Sequence, residues 1–354
     1  MVEWKKLGEV CAFNRGKTIT AKDAVDGDIP VIAGGQTPSY YHNEFNREGE
    51  SITVAGSGAY AGFVSYWNQP IYVSDAFTID PSKGLKHKYL FHWAKMNQEK
   101  IIAAQKGAGV PHVHGKDIAN FLIPIPSLSE QSRIVSILDT FTSSISNLKQ
   151  QIEERRKQYE YERDLLLDLE GKEGVEMKKL GDFAEIGTGS SNTQDELESG
   201  RYPFFVRSQI VKWKDDYEFD EIAIITSGDG VGVGKVLHYY EGKYALHQRA
   251  YRIHVENDSI VPKFIFYFMQ KDFYWYIMSN AYAASVTSVR RPMLINYPIP
   301  IPPLSTQSRI VSILDTFEQS ISNLEEQLAM REKQYEYYRN QLLTFEGEEE
   351  RGKT

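Results

Sequence analysis

The segment Gln131-Ser-Arg-Ile-Val-Ser-Ile-Leu-Asp-Thr-Phe141 recurs unchanged as Gln307 to Phe317, and a chain that repeats itself in this way folds as two copies of one plan. Ile123-Pro-Ile-Pro126 matches Ile299-Pro-Ile-Pro302, and Lys157-Gln-Tyr-Glu-Tyr161 matches Lys333-Gln-Tyr-Glu-Tyr337. The duplication reaches further upstream, where Val2-Glu3 and Lys5-Lys-Leu-Gly8 return as Val175-Glu176 and Lys178-Lys-Leu-Gly181. The stretches between are alike only in outline, so a constant frame alternates with a variable filling.

Each constant segment reads as a long helix opened by Pro-x-Leu-Ser, with Ser129 or Ser305 expected as N-cap. Apolar residues then fall at Ile134, Leu138, Phe141, Ile145, Leu148 and Ile152, continuing to Tyr159 and Leu166 with interruptions at Arg155 and Glu162. The second copy gives Ile310, Leu314, Phe317, Ile321, Leu324 and Leu328, then Tyr335, Tyr338 and Leu342, with Arg331 in the place of Arg155. Alternating steps of four and three are the seam of a coiled coil. A helix of about 40 residues is roughly 60 Å long, more than one small domain covers, so it needs a partner helix. The economical partner is the other copy, paired antiparallel within one molecule; packing of each helix on its own domain is the alternative.

A length of 354 residues suits two domains. The expected divisions are a first variable module at 1–126, a helix at 127–170, a second module at 171–302, a helix at 303–346 and an acidic tail at 347–354. Within the modules, Ile52-Thr-Val-Ala, Gly56-Ser-Gly58 and Gly62 to Trp67 read as strand, turn, strand, and Ile222 to Thr226, Ser227 to Gly230 and Gly234 to Tyr239 repeat the pattern. Helices are expected at Lys88 to Lys100 and Pro262 to Met278. The fold class is therefore α+β: two tandem modules of mixed α and β structure, each followed by a long helix, the two helices forming an intramolecular antiparallel coiled coil.

No run approaches the apolar length of a membrane span, the N-terminus lacks a signal-peptide core, and Cys11 is the only cysteine, all pointing to a reducing cytoplasm. A net charge of −8 argues at first against nucleic acid. Counting along the chain, however, residues 1–126 carry 13 basic and 12 acidic side chains and 175–302 carry 14 and 16, so the acidity concentrates in the helical segments and a basic face on each module stays open.

The candidate contact residues lie in the turns. Gly228 to Lys235 fails the phosphate-loop pattern, so it is read as a hairpin turn, a DNA-facing loop, or both; Ser227, Asp229, Lys235 and Arg207 are its candidates, with Ser57 and Tyr60 in the first module. His112-Val-His114 places two imidazoles on one face of an extended segment, but no further ligand completes a zinc set. With Lys106 and Lys116 the two histidines form a donor-rich stretch suited to nucleic acid, an ordinary loop being the alternative. The corresponding stretch of the second module holds Ser285, Thr287, Ser288, Arg290 and Arg291, where guanidinium groups would grip phosphate or read guanine, unless they form plain surface ion pairs. The aromatic run from Phe264 to Trp275 is explained more simply by burial than by base stacking.

This layout resembles the DNA-specificity subunits of type I restriction-modification systems. The resemblance rests on Ile-Pro-Ile-Pro-x-Leu-Ser-x-Gln-Ser-Arg-Ile-Val-Ser-Ile-Leu-Asp at 123–139 and 299–315, and on the Lys-Lys-Leu-Gly openings, and it covers the whole chain. It implies two target-recognition domains, each reading half of an asymmetric bipartite site in double-stranded DNA, with the coiled coil fixing the gap. Two methyltransferase subunits would dock on the conserved regions and motor-nuclease restriction subunits would join them. S-adenosylmethionine, ATP and magnesium would belong to those partners, this chain holding no cofactor and no metal. Read directly, the residues show no amino-methyltransferase tetrapeptide, no nucleophile elbow and no metalloprotease helix, which agrees with a non-catalytic role. A two-headed coiled-coil adaptor binding other proteins is the alternative, and a nuclease built on Asp75 and Asp80 or on Asp215 to Glu221 a weaker one.

Overall fold

The computed structural model describes residues 2–107, 109–280 and 288–345, so the acidic tail lies outside the described residues. The chain divides into two compact units, residues 1–150 with 325–354, and residues 151–324. Each unit holds one variable module and a portion of both long helices.

In the first unit, Glu3–Lys6 pairs antiparallel with Leu122–Ile125, Lys5 standing opposite Ile123. The Lys-Lys-Leu-Gly and Ile-Pro-Ile-Pro motifs are thus the two strands of one ribbon, which closes the module's ends on each other. Within the module, Cys11–Arg15, Ala76–Pro81, Glu50–Ala55 and Val64–Asn68 form a four-stranded antiparallel sheet in that order. Tyr40–His42, Ile29–Ile32 and Tyr72–Val73 form a second sheet of three. The core joins Ile52, Val54, Ile79, Tyr89, Leu90 and Trp93 to Ile134, Leu138 and Leu343 of the long helices. The helix expected over Lys88 to Lys100 is two pieces, His87–Met96 and Gln98–Ala103. The break falls at Asn97, whose side-chain amide donates to the Trp93 carbonyl at 3.0 Å, competing with the backbone ladder.

The second unit repeats the ribbon, with Glu176–Lys179 against Pro298–Ile301 and Lys178 opposite Ile299. Its module has one six-stranded sheet, in the order Ala184–Thr188, Ala250–Val255, Phe219–Ser227, Leu237–Leu246, Tyr202–Phe205 and Lys212–Lys214. Helix Pro262–Asn280 packs on it, and Phe264, Tyr267 and Phe273 are fully buried as the aromatic run implied. Trp275 is the exception, at 68% exposed.

The long helices span Leu128–Leu166 and Leu304–Leu343. They begin before the expected caps: Ser127 rather than Ser129 accepts from the Glu130 amide at 3.3 Å, and in the second copy the Pro303 carbonyl receives the first amides. Both serines sit inside the first turn, each one residue past the leucine that opens its helix.

The helices run antiparallel. In the first unit Phe141 stacks on Tyr338 at 5.3 Å and, further along, Lys149 pairs with Glu332 at 2.9 Å. In the second, Tyr159 meets Phe317 at 6.4 Å and its hydroxyl donates to Glu318 at 3.4 Å. The two arginines that interrupt the seam belong to it: Arg331 lies over the Phe141 ring at 5.7 Å, and Arg155 over Phe317 at 5.9 Å. Their stems cover apolar surface while the planar heads sit on aromatic faces.

Candidate nucleic-acid interface

A glycine turn follows the first strand of each module's repeated pattern. Glu50–Ala55 runs into Gly56-Ser57-Gly58, and Phe219–Ser227 into Gly228-Asp229-Gly230. Gly58 and Gly230 both have φ of +83°, a conformation that costs a side-chain-bearing residue about 1–2 kcal/mol. The turn is longer than a two-residue hairpin: Ala61 N donates to Gly58 O at 3.0 Å, and Val233 N to Gly230 O at 3.2 Å.

Two further segments meet this turn in both modules. The segment before the short helix that precedes the last strand pairs with it, Ser57 opposite His112 and Asp229 opposite Ser288. Val113 N donates to Gly56 O at 3.0 Å, and Val289 N to Gly228 O at 2.8 Å. From the other side, Gly56 N donates to Asp75 O at 3.1 Å, and Gly228 N to Arg249 O at 2.9 Å. One backbone junction is therefore built twice, with different side chains on its rim.

In the first module the junction gathers Ser57, Lys106, His112 and His114. The Ser57 hydroxyl donates to the Asp75 carboxylate. Lys106 exchanges both backbone hydrogen bonds with His112, and its ammonium is held by Asp117, whose carboxyl this contact lowers below the usual range. The His112 and His114 rings lie nearly parallel at 6.2 Å and line a pocket of about 160 Å³ with Phe13, Arg15, Asp75 and Phe77. Tyr60, on the turn, is 49% exposed, and Lys116 is exposed in the short helix Gly115–Ile118.

In the second module Asp229 takes the centre. Arg207 Nη1 donates to its Oδ1 at 2.5 Å and Arg249 Nη1 to its Oδ2 at 3.3 Å. Ser227 is fully buried, and its hydroxyl donates to the Asp229 carbonyl at 2.8 Å, so it fastens the turn and offers nothing to a ligand. The Lys235 ammonium lies over the Tyr274 ring at 5.4 Å. Arg290 and Arg291 are exposed at the start of the short helix Arg291–Ile295. His247 sits beneath, accepting from the Arg249 amide at 3.0 Å, and burial followed by the charges of Arg207 and Arg249 lowers its pKa. Ser285 and Thr287 lie outside the described residues.

In the sequence Asp75 stands out only as a nuclease candidate beside Asp80, and Arg15 and Arg249 carry no signal of their own. Asp75 and Arg249 stand at the start of the strand that crosses the sheet beside the turn, and only the strand order brings them to it. Among the described residues no three side chains are grouped to hold a metal ion, and no helix is long and apolar enough to cross a membrane. The rims carry hydrogen-bond donors and acceptors around one shared backbone junction.

Comparison with known proteins agrees with this picture. The domain family described as "Type I restriction modification DNA specificity domain" matches residues 1–155 and again 172–330. A putative type I restriction enzyme specificity subunit of Haemophilus influenzae is 28% identical over 97% of this chain and 96% of its own length. The specificity subunit of the Escherichia coli type I restriction enzyme EcoR124I/EcoR124II is 27% identical over 97% and 94%. In fold, the chain is similar to the crystal structure of a type I restriction-modification S subunit from M. genitalium, with a TM-score of 0.74 at 17% identity, covering 98% of this chain and 96% of that one.

Proposed function

The chain belongs to the type I restriction-modification DNA-specificity family, and on that premise we propose that it reads double-stranded DNA as one asymmetric site in two parts, one part for each module. The module at 1–126 reads one half and the module at 171–302 the other. The long helices Leu128–Leu166 and Leu304–Leu343 hold the distance between the halves and carry two methyltransferase subunits, to which the restriction motor subunits attach. S-adenosylmethionine, ATP and magnesium are the business of those partners in the cytoplasm, and this chain supplies specificity without chemistry.

The observation that supports this reading is the junction of glycine turn, crossing strand and pre-strand segment, built twice on one backbone plan with different rims. A constant frame with exchanged side chains suits two readers of different sequences. On this reading Lys106, His112, His114, Lys116, Ser57 and Tyr60 serve the first half-site, and Arg207, Asp229, Lys235, Ser288, Arg290 and Arg291 the second. An adaptor that binds only proteins has no need of two unlike donor-rich rims.

The test is methylation mapping in cells that carry or lack this gene, followed by footprinting of the assembled complex on the mapped site. Two protected elements separated by an indifferent spacer are expected. Protection of one uninterrupted sequence would count against bipartite reading, and methylation that does not depend on this chain would remove the reading altogether.

A further inference from the structure

The two junctions differ at two corresponding positions, and the difference reverses their chemistry. Ser57 and Asp229 occupy the same place in the turn, each bridged to the pre-strand segment. Asp75 and Arg249 occupy the same place on the crossing strand, each accepting the amide of the turn's first glycine through its own carbonyl. In the first module the pair is a hydroxyl and a carboxylate, Ser57 with Asp75. In the second it is a carboxylate and a guanidinium, Asp229 with Arg249. The backbone hydrogen bonds of the junction are the same in both modules, so the exchange lies in the side chains of the rim.

Asp229 is bound to a second arginine as well, since Arg207 holds its other oxygen at 2.5 Å. One carboxylate between two guanidiniums leaves a net positive centre, and of the three side chains Arg249 is the most open, at 61% against 38% for Arg207 and 24% for Asp229. Only Nη1 of Arg249 is engaged with Asp229, and the side chain stays largely in solvent. A guanidinium held at one corner by a fixed carboxylate loses little freedom on binding, and its fork matches the N7 and O6 acceptors of guanine in the major groove. The backbone that carries the carboxylate is fastened by Ser227 Oγ, which donates to the Asp229 carbonyl at 2.8 Å, and by the bridge to Ser288. A plain surface ion pair needs no such clamp and contributes at most about 1 kcal/mol. A phosphate grip is poorly served by a carboxylate at its centre, which would repel the backbone it is meant to hold.

We propose that Arg249, positioned by Asp229, reads a guanine in the half-site of the second module, and that Asp75 makes the first module's corresponding position an acceptor without that preference. This rests on the DNA-reading function proposed above. The module-level consequence is asymmetric: altering the Asp229–Arg249 pair changes one half-site and leaves the other as it was.

The experiment uses the complete methyltransferase complex. Methylation mapping with the unaltered chain first gives the site, and binding to duplexes with single base-pair replacements gives the selectivity at each position. Arg249→Gln, at an exposed side chain whose structural hydrogen bonds run through its backbone, is the primary variant, and Asp229→Asn, which removes the charge that holds both arginines, is the second. Both are expected to lower the preference for guanine at one position of one half-site by tenfold or more, with the other half-site unchanged. Arg249→Lys is expected to keep part of that preference, because the charge stays and the fork is lost. An unaltered selectivity profile in Arg249→Gln overturns the proposal and leaves the pair as a surface ion pair. A uniform loss of affinity on all duplexes, with the mapped site intact, overturns it in favour of a phosphate contact. A site that does not follow this chain at all is a failure of the function proposed above, and is recognised in the unaltered protein before any variant is made.

Discussion

Gln131 and Gln307, identical positions of the repeated segment, make the same three hydrogen bonds from fully buried carboxamides. Gln131 donates to the Gly84 and Pro126 carbonyls, both at 2.9 Å, and accepts from the Lys86 amide at 2.9 Å. Gln307 donates to Ser259 O at 3.1 Å and Pro302 O at 2.8 Å, and accepts from Val261 N at 2.8 Å. Each glutamine ties the first turn of a long helix to the end of the proline-rich strand and to the loop that enters the module helix.

Removing either side chain strands two carbonyls and one amide in a buried site, and each unsatisfied group costs about 1–3 kcal/mol. Gln131→Ala is therefore expected to lower the unfolding free energy of its unit by about 3 kcal/mol or more, read as a lower urea midpoint. Gln131→Glu is expected to be no better at neutral pH, since a carboxylate would face the carbonyl oxygens of Gly84 and Pro126. An unfolding free energy within about 0.5 kcal/mol of the unaltered protein would show that water replaces the carboxamide.

His92 is a second buried polar node, with Nε2 at 3.0 Å from Asp139 Oδ1 and Nδ1 at 3.1 Å from the Tyr335 hydroxyl. A neutral imidazole satisfies both, donating to the carboxylate and accepting from the phenol. The corresponding side chain of the second module is Tyr267, which donates to Asp315 at 2.5 Å, and Lys88 and Lys263 pair with the same two aspartates. Burial lowers the His92 pKa below 6.5; the hydrogen bond and charge of Asp139 oppose this, and Lys88 and Arg339 add to it.

The folded protein thus binds the proton less readily than the unfolded chain. The stability associated with His92 is intact above about pH 6.5 and is lost as the pH falls from there through the lower folded pKa. Thermal unfolding at pH 7.5 and 5.5 measures it, and His92→Tyr, which copies the other module, is expected to reduce the acid sensitivity of the first unit. His238 and His247 of the other unit are also lowered by burial, so part of the sensitivity of the whole chain persists in the variant. An unchanged difference between the two pH values in His92→Tyr would assign the effect to those residues instead.

What the sequence reveals and what it hides follow from range. The seam from Ile134 to Ile152 and from Ile310 to Leu328 is legible because a periodic apolar stripe is a local signal, and Ile134, Leu138, Ile310 and Leu314 are buried in the cores. The duplication is legible for the same reason. The roles of Gln131 and Gln307 are not, since a glutamine on a helix gives no local sign that it points into a buried strand-end. Nor is the partnership of Arg249 with Asp229, which depends on a crossing strand that arrives beside the turn twenty residues later. Arg155 and Arg331 look like faults in the seam until the antiparallel register sets each on a phenylalanine of the opposite helix.

The glycines of the turn can be separated by what a methyl group would meet. At Gly234 φ is +69°, and a Cβ would come within 3.2 Å of the Tyr274 Cα, a backbone atom of the module helix that has little room to retreat. At Gly230 φ is +83° with open space around it. Gly230→Ala is expected to cost about 1–2 kcal/mol from the left-handed conformation alone, and Gly234→Ala to cost more and to shift the turn against its helix. Denaturation of the two variants side by side measures the order, and a Gly234→Ala protein as stable as Gly230→Ala would mean that the helix yields.

If the long helices set the distance between half-sites, their length is a measurable variable of recognition. One heptad adds about 10 Å at roughly 1.5 Å per residue, and preserves the seam because seven residues return the apolar stripe to the same face. Heptads inserted after Gln150 in the first helix and after Leu324 in the second fall where the chain passes between its two compact units, and they keep the partnered faces of Phe141 with Tyr338 and of Tyr159 with Phe317 intact. The mapped methylation site is then expected to keep both recognised halves and to gain about three base pairs of spacer, at roughly 3.4 Å each. A heptad in one helix alone mismatches the pair and is expected to abolish methylation. An unchanged spacer in the doubly extended protein would mean that something other than helix length holds the half-sites apart.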